Sequence, residues 1–504
     1  MRIDIRTIVT LLVVVAFTYF TGRLIATAPP LMPIALVLAG FGAIVTFIKP
    51  EMGLLILIFS MLLSPEIKLA ELPKFAGVMG RTVVVRIDDL LLIAIFFTWI
   101  VRITVRRELG LLTHTSVNRP IIIYIFLCVV STILGIMQGR VKPFHGFFYT
   151  LRYTEYFMLF FMVVNLVHSE KQIKTYLKAG LLVCLIVGIY AYYQIGKLPR
   201  VTAPFEAPVG LDTYDLSARK LATPVGREQG LKTILERIKE SEPASLGGYL
   251  LIILGLTFGF FACAKKRRDE FFFFALFLFL LAPFVMTLSR ASYGAFIPLF
   301  LSIIFFTKRK RPFLIGMAVI FILLFPIIFP RLQEAIIKRV TYTFGGGGAR
   351  YASTAIAAKF EPSAALRIEG WKKAFTEWLP KKPFGHGVTG VGLVDVQYAL
   401  LLGEVGFFGF IVWWWMIIAI FRHTWQVYRT AGDSFLEGLS LGYLAAFVGL
   451  LAQGIAVNTF VIVRIMEPFW FLTGIMMKLP QIVDLEPRES AVEKEIAHLP
   501  VFAR

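Results

Sequence analysis

Residues 245–290 read SLGGYLLIILGLTFGFFACAKKRRDEFFFFALFLFLLAPFVMTLSR, and this stretch decides the fold class. Two apolar runs, 245–264 and 271–288, are joined by the cationic turn Lys265-Lys266-Arg267-Arg268. Each run is close to the ~20 apolar residues a bilayer-spanning helix needs. A hairpin of this kind cannot be wetted on both arms, whereas lipid solvates its outward-facing side chains. The rest of the chain repeats the pattern. Of 504 residues 58% are hydrophobic and only 17% charged, against about 25% charged in an average soluble domain. Mean hydropathy is +0.76. The expected fold is an all-α polytopic membrane protein.

The apolar runs are 8–27, 31–49, 52–65, 88–105, 120–138, 146–167, 174–194, 245–264, 271–288, 291–307, 312–330, 397–421, 437–457 and 459–478. With the third short and the pair around 288–291 tightly joined, about 12–14 transmembrane helices are expected. The first run lacks a small-residue cleavage site and is followed closely by a second, so it reads as a span and not as a cleaved signal. The cysteines Cys128, Cys184 and Cys263 fall in apolar runs, at spacings that fit neither a metal site nor a disulfide framework. The organisation expected is an N-terminal bundle (1–194), an outer loop (195–244), a core (245–410) containing a second outer loop (331–396), C-terminal helices (411–479) and a polar, partly disordered tail (480–504).

Orientation follows from the cations in short connections. Arg102, Arg106 and Arg107, then Lys171 and Lys174, then Lys265–Arg268, Lys308–Arg311, and Arg422 and Arg429 all fall on one side, which is expected to be cytoplasmic. The two long connections then face outward, and both are basic. Long loops translocate regardless of charge. Their cations point to an anionic ligand at the outer surface, or to lipid head groups. The net charge of +20 is therefore placed at a membrane, and no nucleic-acid partner is expected. Within the loops, Leu231–Ser241 reads as a short polar helix. Ala364–Leu379, with Ala365, Ile368, Trp371, Phe375 and Trp378 at helical spacing, reads as an amphipathic helix ended by Pro380 and Pro383. The glycines at 345–348 make a turn without the Lys-Ser/Thr of a phosphate-binding loop.

Ionisable groups inside spans are costly and mark candidate sites. Arg152 with Glu155, and Arg464 with Glu467, are spaced for i,i+3 pairs that reduce burial cost or line a pathway. Arg290 has no acid near it in sequence, so it is expected to be unpaired at the outer boundary. Asp395 stands where a span begins, either as a general base or as a helix N-cap, with capping the default.

In order, Ser289-Arg290 closing a span, Arg367 with Trp371 four residues on, Pro383-Phe384-Gly385-His386-Gly387, and Asp395, Tyr398, Glu404, Gly406 and Gly409 form a set. With that set the chain resembles the O-antigen ligase and O-antigen polymerase superfamily of bacterial membrane glycosyltransferases, most closely over 245–410. Arg200–Phe205 and Glu242–Ser245 look like the segment before that family's core. Ligases open the last motif with His-Asn; this chain has Asp395-Val396, which leans toward the polymerase-like relatives. The resemblance implies a multi-pass protein of the bacterial cytoplasmic membrane with its active site at the periplasmic face. It implies transfer of a glycan from an undecaprenyl-diphosphate carrier to a glycan or lipid A core hydroxyl, with inversion and without metal or cofactor. It implies Asp395 as base and Arg290 and Arg367 as the diphosphate's counter-cations. Arg200, Ser289, Trp371, His386, Gln397 and Tyr398 are implied in donor or glycan binding. Two further readings stay open. One is a transporter or flippase using the Arg/Glu pairs, although no internal repeat is legible. The other is a non-catalytic assembly partner.

Overall fold

In the computed structural model the described residues are 31–70, 83–105, 113–195, 197, 201–205, 243–307, 310–328, 330–346, 354–392 and 394–497. They form a helical membrane protein. The helices of eight or more residues are α1 (Leu31–Ile48), α2 (Pro50–Leu63), α3 (Ile87–Val105), α4 (Asn118–Met137), α5 (Pro143–Leu166), α6 (Glu170–Gln194), α7 (Pro243–Cys263) and α8 (Arg267–Met286). They continue with α9 (Arg290–Phe306), α10 (Arg311–Ile328), α11 (Pro330–Thr341), α12 (Pro362–Lys373), α13 (Gln397–Glu404), α14 (Gly406–Thr430), α15 (Ser434–Gln453) and α16 (Val463–Ala497). A small antiparallel ladder departs from the all-helical expectation: β1 (Glu66–Ala70) pairs with β2 (Val83–Arg86), Glu66 opposite Arg86.

Six described helices are long and apolar enough to cross a membrane: α4, α6, α7, α8, α14 and α15. Four more apolar segments are shorter, at Leu36–Ile48, Pro50–Leu63, Arg290–Phe306 and Arg311–Ile320. Every expected run from 31 onward is helical where described; the run 8–27 and the short helix 231–241 lie outside the described residues. Three boundaries differ from expectation. The run 397–421 is broken at Val405 into α13 and α14. The amphipathic segment starts at Pro362 and passes through a π-turn, Ala374–Trp378, to Lys381. The tail expected to be partly disordered continues α16 as helix to Ala497.

At the centre, α7 lies on α15 through small residues. A Cβ added at Gly259 would fall 2.4 Å from the Gly442 backbone, and one at Gly255 2.8 Å from Ala446 Cβ. Glycines spaced by four let two helix axes approach closely, as lipid-solvated helices must if dispersion is to hold them. Phe258 then stacks against Phe277 at 4.7 Å and Phe300 at 5.2 Å, bringing in α8 and α9. Large apolar side chains such as Val37, Phe126, Ile297 and Phe305 face outward, as a lipid solvent allows.

Cross-contacts sort the helix ends. Lys310 Nζ donates to the Phe261 and Ala264 carbonyls and pairs with Glu270; Tyr428 donates to Phe306 O; Lys174 Nζ sits 4.9 Å over Phe435. Tyr176 donates to Glu51 O, and Arg102 to Ile48 O. The described cationic clusters thus gather at one end of the bundle. The family-like residues gather at the other.

Candidate functional site

The site is built on a sharp turn between α8 and α9. Leu288 takes φ +50° there, a left-handed conformation unusual for a leucine. Thr287 Oγ1 donates back to Phe284 O, and Ser289 caps α9 by accepting from Ser292 N. Ser289 and Ser292 hydroxyls are 2.8 Å apart, and Gln453 Nε2 donates to Ser292 Oγ. The Ser289 hydroxyl is therefore spent on the turn.

Arg290 is the first residue of α9. It is not unpaired, as the sequence led us to expect. Its guanidinium holds Glu361 Oε1 at 2.5 Å and Thr343 Oγ1 at 2.6 Å. Glu361 also caps α12, accepting from Ser363 N and Ala364 N. The partner is 71 residues away in sequence, so only the fold reveals it. Through Glu361, Arg290 fixes the start of the helix that carries Arg367. Arg367 lies two turns along α12, half-buried, and its Nε is buried without a hydrogen-bond partner among the described residues.

α12 packs on the segment leading into α13. A Cβ at Gly370 would lie 3.2 Å from Val394, and Ala374, Val394, Val396, Ala399, Leu400 and Leu402 form one apolar cluster with Trp371 and Trp378 at its edge. Trp371 stacks on Phe375 at 5.6 Å and meets Tyr398 at 6.2 Å. Tyr398 in turn stacks on Trp414 and donates to Leu451 O at 2.5 Å. Asp395 lies between Val394 and Val396 on this contact. The α13 cap position is Val396, with no side-chain cap bond. The capping reading of Asp395 thus fails. Its carboxylate is half-buried and makes no hydrogen bond or ion pair with the described residues.

The Pro383–Gly387 loop explains the helix break. Ending α13 at Glu404 frees carbonyls that need donors. His386 N donates to Gly403 O at 2.9 Å and Gly387 N to Glu404 O at 3.0 Å. The backbones approach so closely that a Cβ on Gly385 would fall 2.2 Å from Glu404 O. His386 is 6% exposed, its Nδ1 3.1 Å from Gly403 O. Burial holds its imidazole below the ordinary range; the Gly403 bond opposes this, and Arg140 and Lys382 add to it. The Glu404 side chain accepts from Tyr153 OH at 2.9 Å and Thr389 N at 2.8 Å. Gln397 is 2% exposed and accepts from Phe460 N at 2.8 Å. His386, Gln397 and Ser289 are thus framework. Arg200 lies outside the described residues.

A second charged assembly was only half legible. Arg86 pairs with Asp88 at 2.7 Å and donates to Met61 O, while Arg86 N donates to Asp89. The carboxylates of Asp88, Asp89 and Glu467 lie within 4.8 Å of one another. Arg152 lies close enough to Asp89 to feel its charge as well as that of Glu155 three residues away. Arg464 donates to Pro204 O at 2.8 Å. Glu467 of the second pair thus lies with Asp88 and Asp89 beside Arg86. The sequence offers no metal-ligand spacing here, because the trio comes from α3 and α16. Arg86, through its ion pair with Asp88, supplies counter-charge.

No protein-family model matches the chain, and no curated protein matches its sequence.

Proposed function

We propose that this membrane protein is a glycosyltransferase of the bacterial cytoplasmic membrane that takes a glycan from an undecaprenyl-diphosphate carrier at the periplasmic face. The reading rests on one observation. Asp395, a carboxylate with no partner among the described residues, lies on a segment packed against the helix that carries Arg367, whose buried Nε also lacks a partner among them. A base and a cation held apart from each other and from other groups are what a displacement at a glycosyl diphosphate requires. Asp395 takes the proton of the acceptor hydroxyl as its oxygen bonds to the anomeric carbon. The bond from that carbon to the diphosphate breaks on the opposite face, so the configuration inverts. The leaving diphosphate keeps the electron pair, and Arg367 and Arg290 stabilise the charge it gains. For Arg290 this means exchanging Glu361 for phosphate oxygens. The acceptor is a second carrier-linked repeat unit for a polymerase or a lipid A core for a ligase.

The test is transfer in proteoliposomes supplied with lipid-linked glycan. Asp395→Ala and Arg290→Ala are expected to insert normally and to lose transfer; full activity in both rejects the mechanism. A deletion strain yielding single-repeat products on a ladder gel supports a polymerase, and one accumulating carrier-linked polymer a ligase.

One observation favours a second reading, transport. One buried carboxylate oxygen each of Asp89 and Glu155 has no hydrogen-bond partner among the described residues, and intramembrane acids line ion pathways. That reading predicts substrate flux that is indifferent to Asp395.

A further inference from the structure

A cavity of about 810 Å³ lies away from Asp395 and Arg290. It is a cleft between α2, α6, α7, α8, α15 and α16. Its depth is apolar, with Met61, Leu181, Ile253, Leu276 and Phe471 among the lining residues. Along α7 it runs from Tyr249 to Ala264, about 22 Å at 1.5 Å per residue. That exceeds the ~15 Å hydrocarbon depth of one leaflet, so the cleft is long enough for acyl chains.

The mouth is at the end of the bundle where the cationic clusters gather. Lys174, Lys178 and Arg268 line it, with Asp269. Lys174 pairs with Glu170 on its own helix and lies over Phe435. Arg268 is 90% exposed and lies 3.7 Å from Asp269. Lys178 is different. It stands one turn deeper than Lys174, exposed, with no hydrogen bond or ion pair among the described residues. An ammonium at the edge of hydrocarbon with no acid beside it is poorly placed unless an anion comes to it. A phosphate at this level, with its chains running down the cleft, supplies one. Basic pockets between helices recognise anionic head groups in this way. The wall opposite the lipid has space: Gly180, which lines the cleft, has no atom within 4 Å of an added Cβ.

We infer that this cleft is a binding site for one anionic phospholipid, its phosphate held by Lys174, Lys178 and Arg268 and its acyl chains lying between α6, α7 and α8. The site lies in the leaflet opposite the proposed transfer chemistry and does not depend on that chemistry.

The test uses the full chain in nanodiscs of phosphatidylcholine containing a minority of either phosphatidylglycerol or phosphatidylcholine that carries a photoactivatable acyl chain. Peptide mapping is expected to place phosphatidylglycerol crosslinks on α6 and α8 in preference to phosphatidylcholine. Lys178→Ala should reduce that preference about fivefold, from roughly 1 kcal/mol per interfacial cation. Combined with Lys174→Ala and Arg268→Ala, it should abolish it. Gly180→Trp, which fills open space, should lower labelling by both lipids while leaving the melting temperature unchanged. Equal labelling by the two lipids, or labelling untouched by the triple variant, would show an unselective acyl channel and overturn the proposal. Displacement of phosphatidylglycerol by a polyprenyl diphosphate at equal mole fraction would overturn it in favour of the carrier.

Discussion

Two charged assemblies stand at the same end of the bundle, and they are built differently. Around Arg86, with side chains of Arg86 and Asp88 1% and 0% exposed, a guanidinium and a carboxylate are sealed together as an ion pair. Around Asp395, the groups are half-buried and the carboxylate faces no counter-ion among the described residues. The first arrangement joins α3, α5 and α16. The second brings the α12 helix that carries Arg367 against the segment that carries Asp395. What separates the two regions is that Asp88 faces a guanidinium, whereas Asp395 faces none among the described residues.

The sharpest way to break this comparison is to remove a charge from the sealed assembly. Arg86→Ala leaves Asp88 without its partner and should destabilise the protein by about 3–5 kcal/mol, read as a fall in the detergent-solubilised melting temperature. Asp395→Ala should change stability by no more than about 0.5 kcal/mol. A stable Arg86→Ala variant would mean that its charges are not mutually held.

Arg290→Ala comes next. Losing one donor to a developing anion should lower transfer about 10²- to 10³-fold, and some stability should go with it, because Glu361 caps α12. Glu361→Gln separates the two roles. It keeps a capping oxygen but frees the Arg290 charge, so affinity for inorganic diphosphate, measured by titration calorimetry, should rise severalfold. Unchanged affinity would place Arg290 in the framework.

The smallest effect is expected at His386. Its folded-state pKa lies below the ordinary value because the ring is buried, so the unfolded chain binds its proton first as pH falls. The stability it contributes is present above about pH 6.5 and is lost as pH falls through the folded value. A melting temperature that falls from pH 7 to pH 5, with a shallower slope in His386→Asn, would bear this out; parallel slopes would not.

Much of the scaffold was legible because apolar length is a one-dimensional signal. The break at Val405 was not, because 397–421 is mainly apolar and the cause is a loop pressed against Gly406, where φ is +71°. Of the candidate site, Asp395 and Arg367 were singled out by the family resemblance; spacing alone left Asp395 as a helix cap. Glu361 could not be read, because an ion pair across 71 residues leaves no local trace, although a Glu before Pro362 is a cap signal in its own right. The Arg86 network was hidden for the same reason. Asp88 and Asp89 read as the first residues of a span until α16 set Glu467 beside them.

Asp395→Asn tests the central claim most directly, since it keeps size and hydrogen bonding while removing the base. In proteoliposomes with lipid-linked glycan, the account predicts a transfer rate at least about a hundredfold lower, at an unchanged melting temperature. A variant that transfers glycan at the wild-type rate would contradict it.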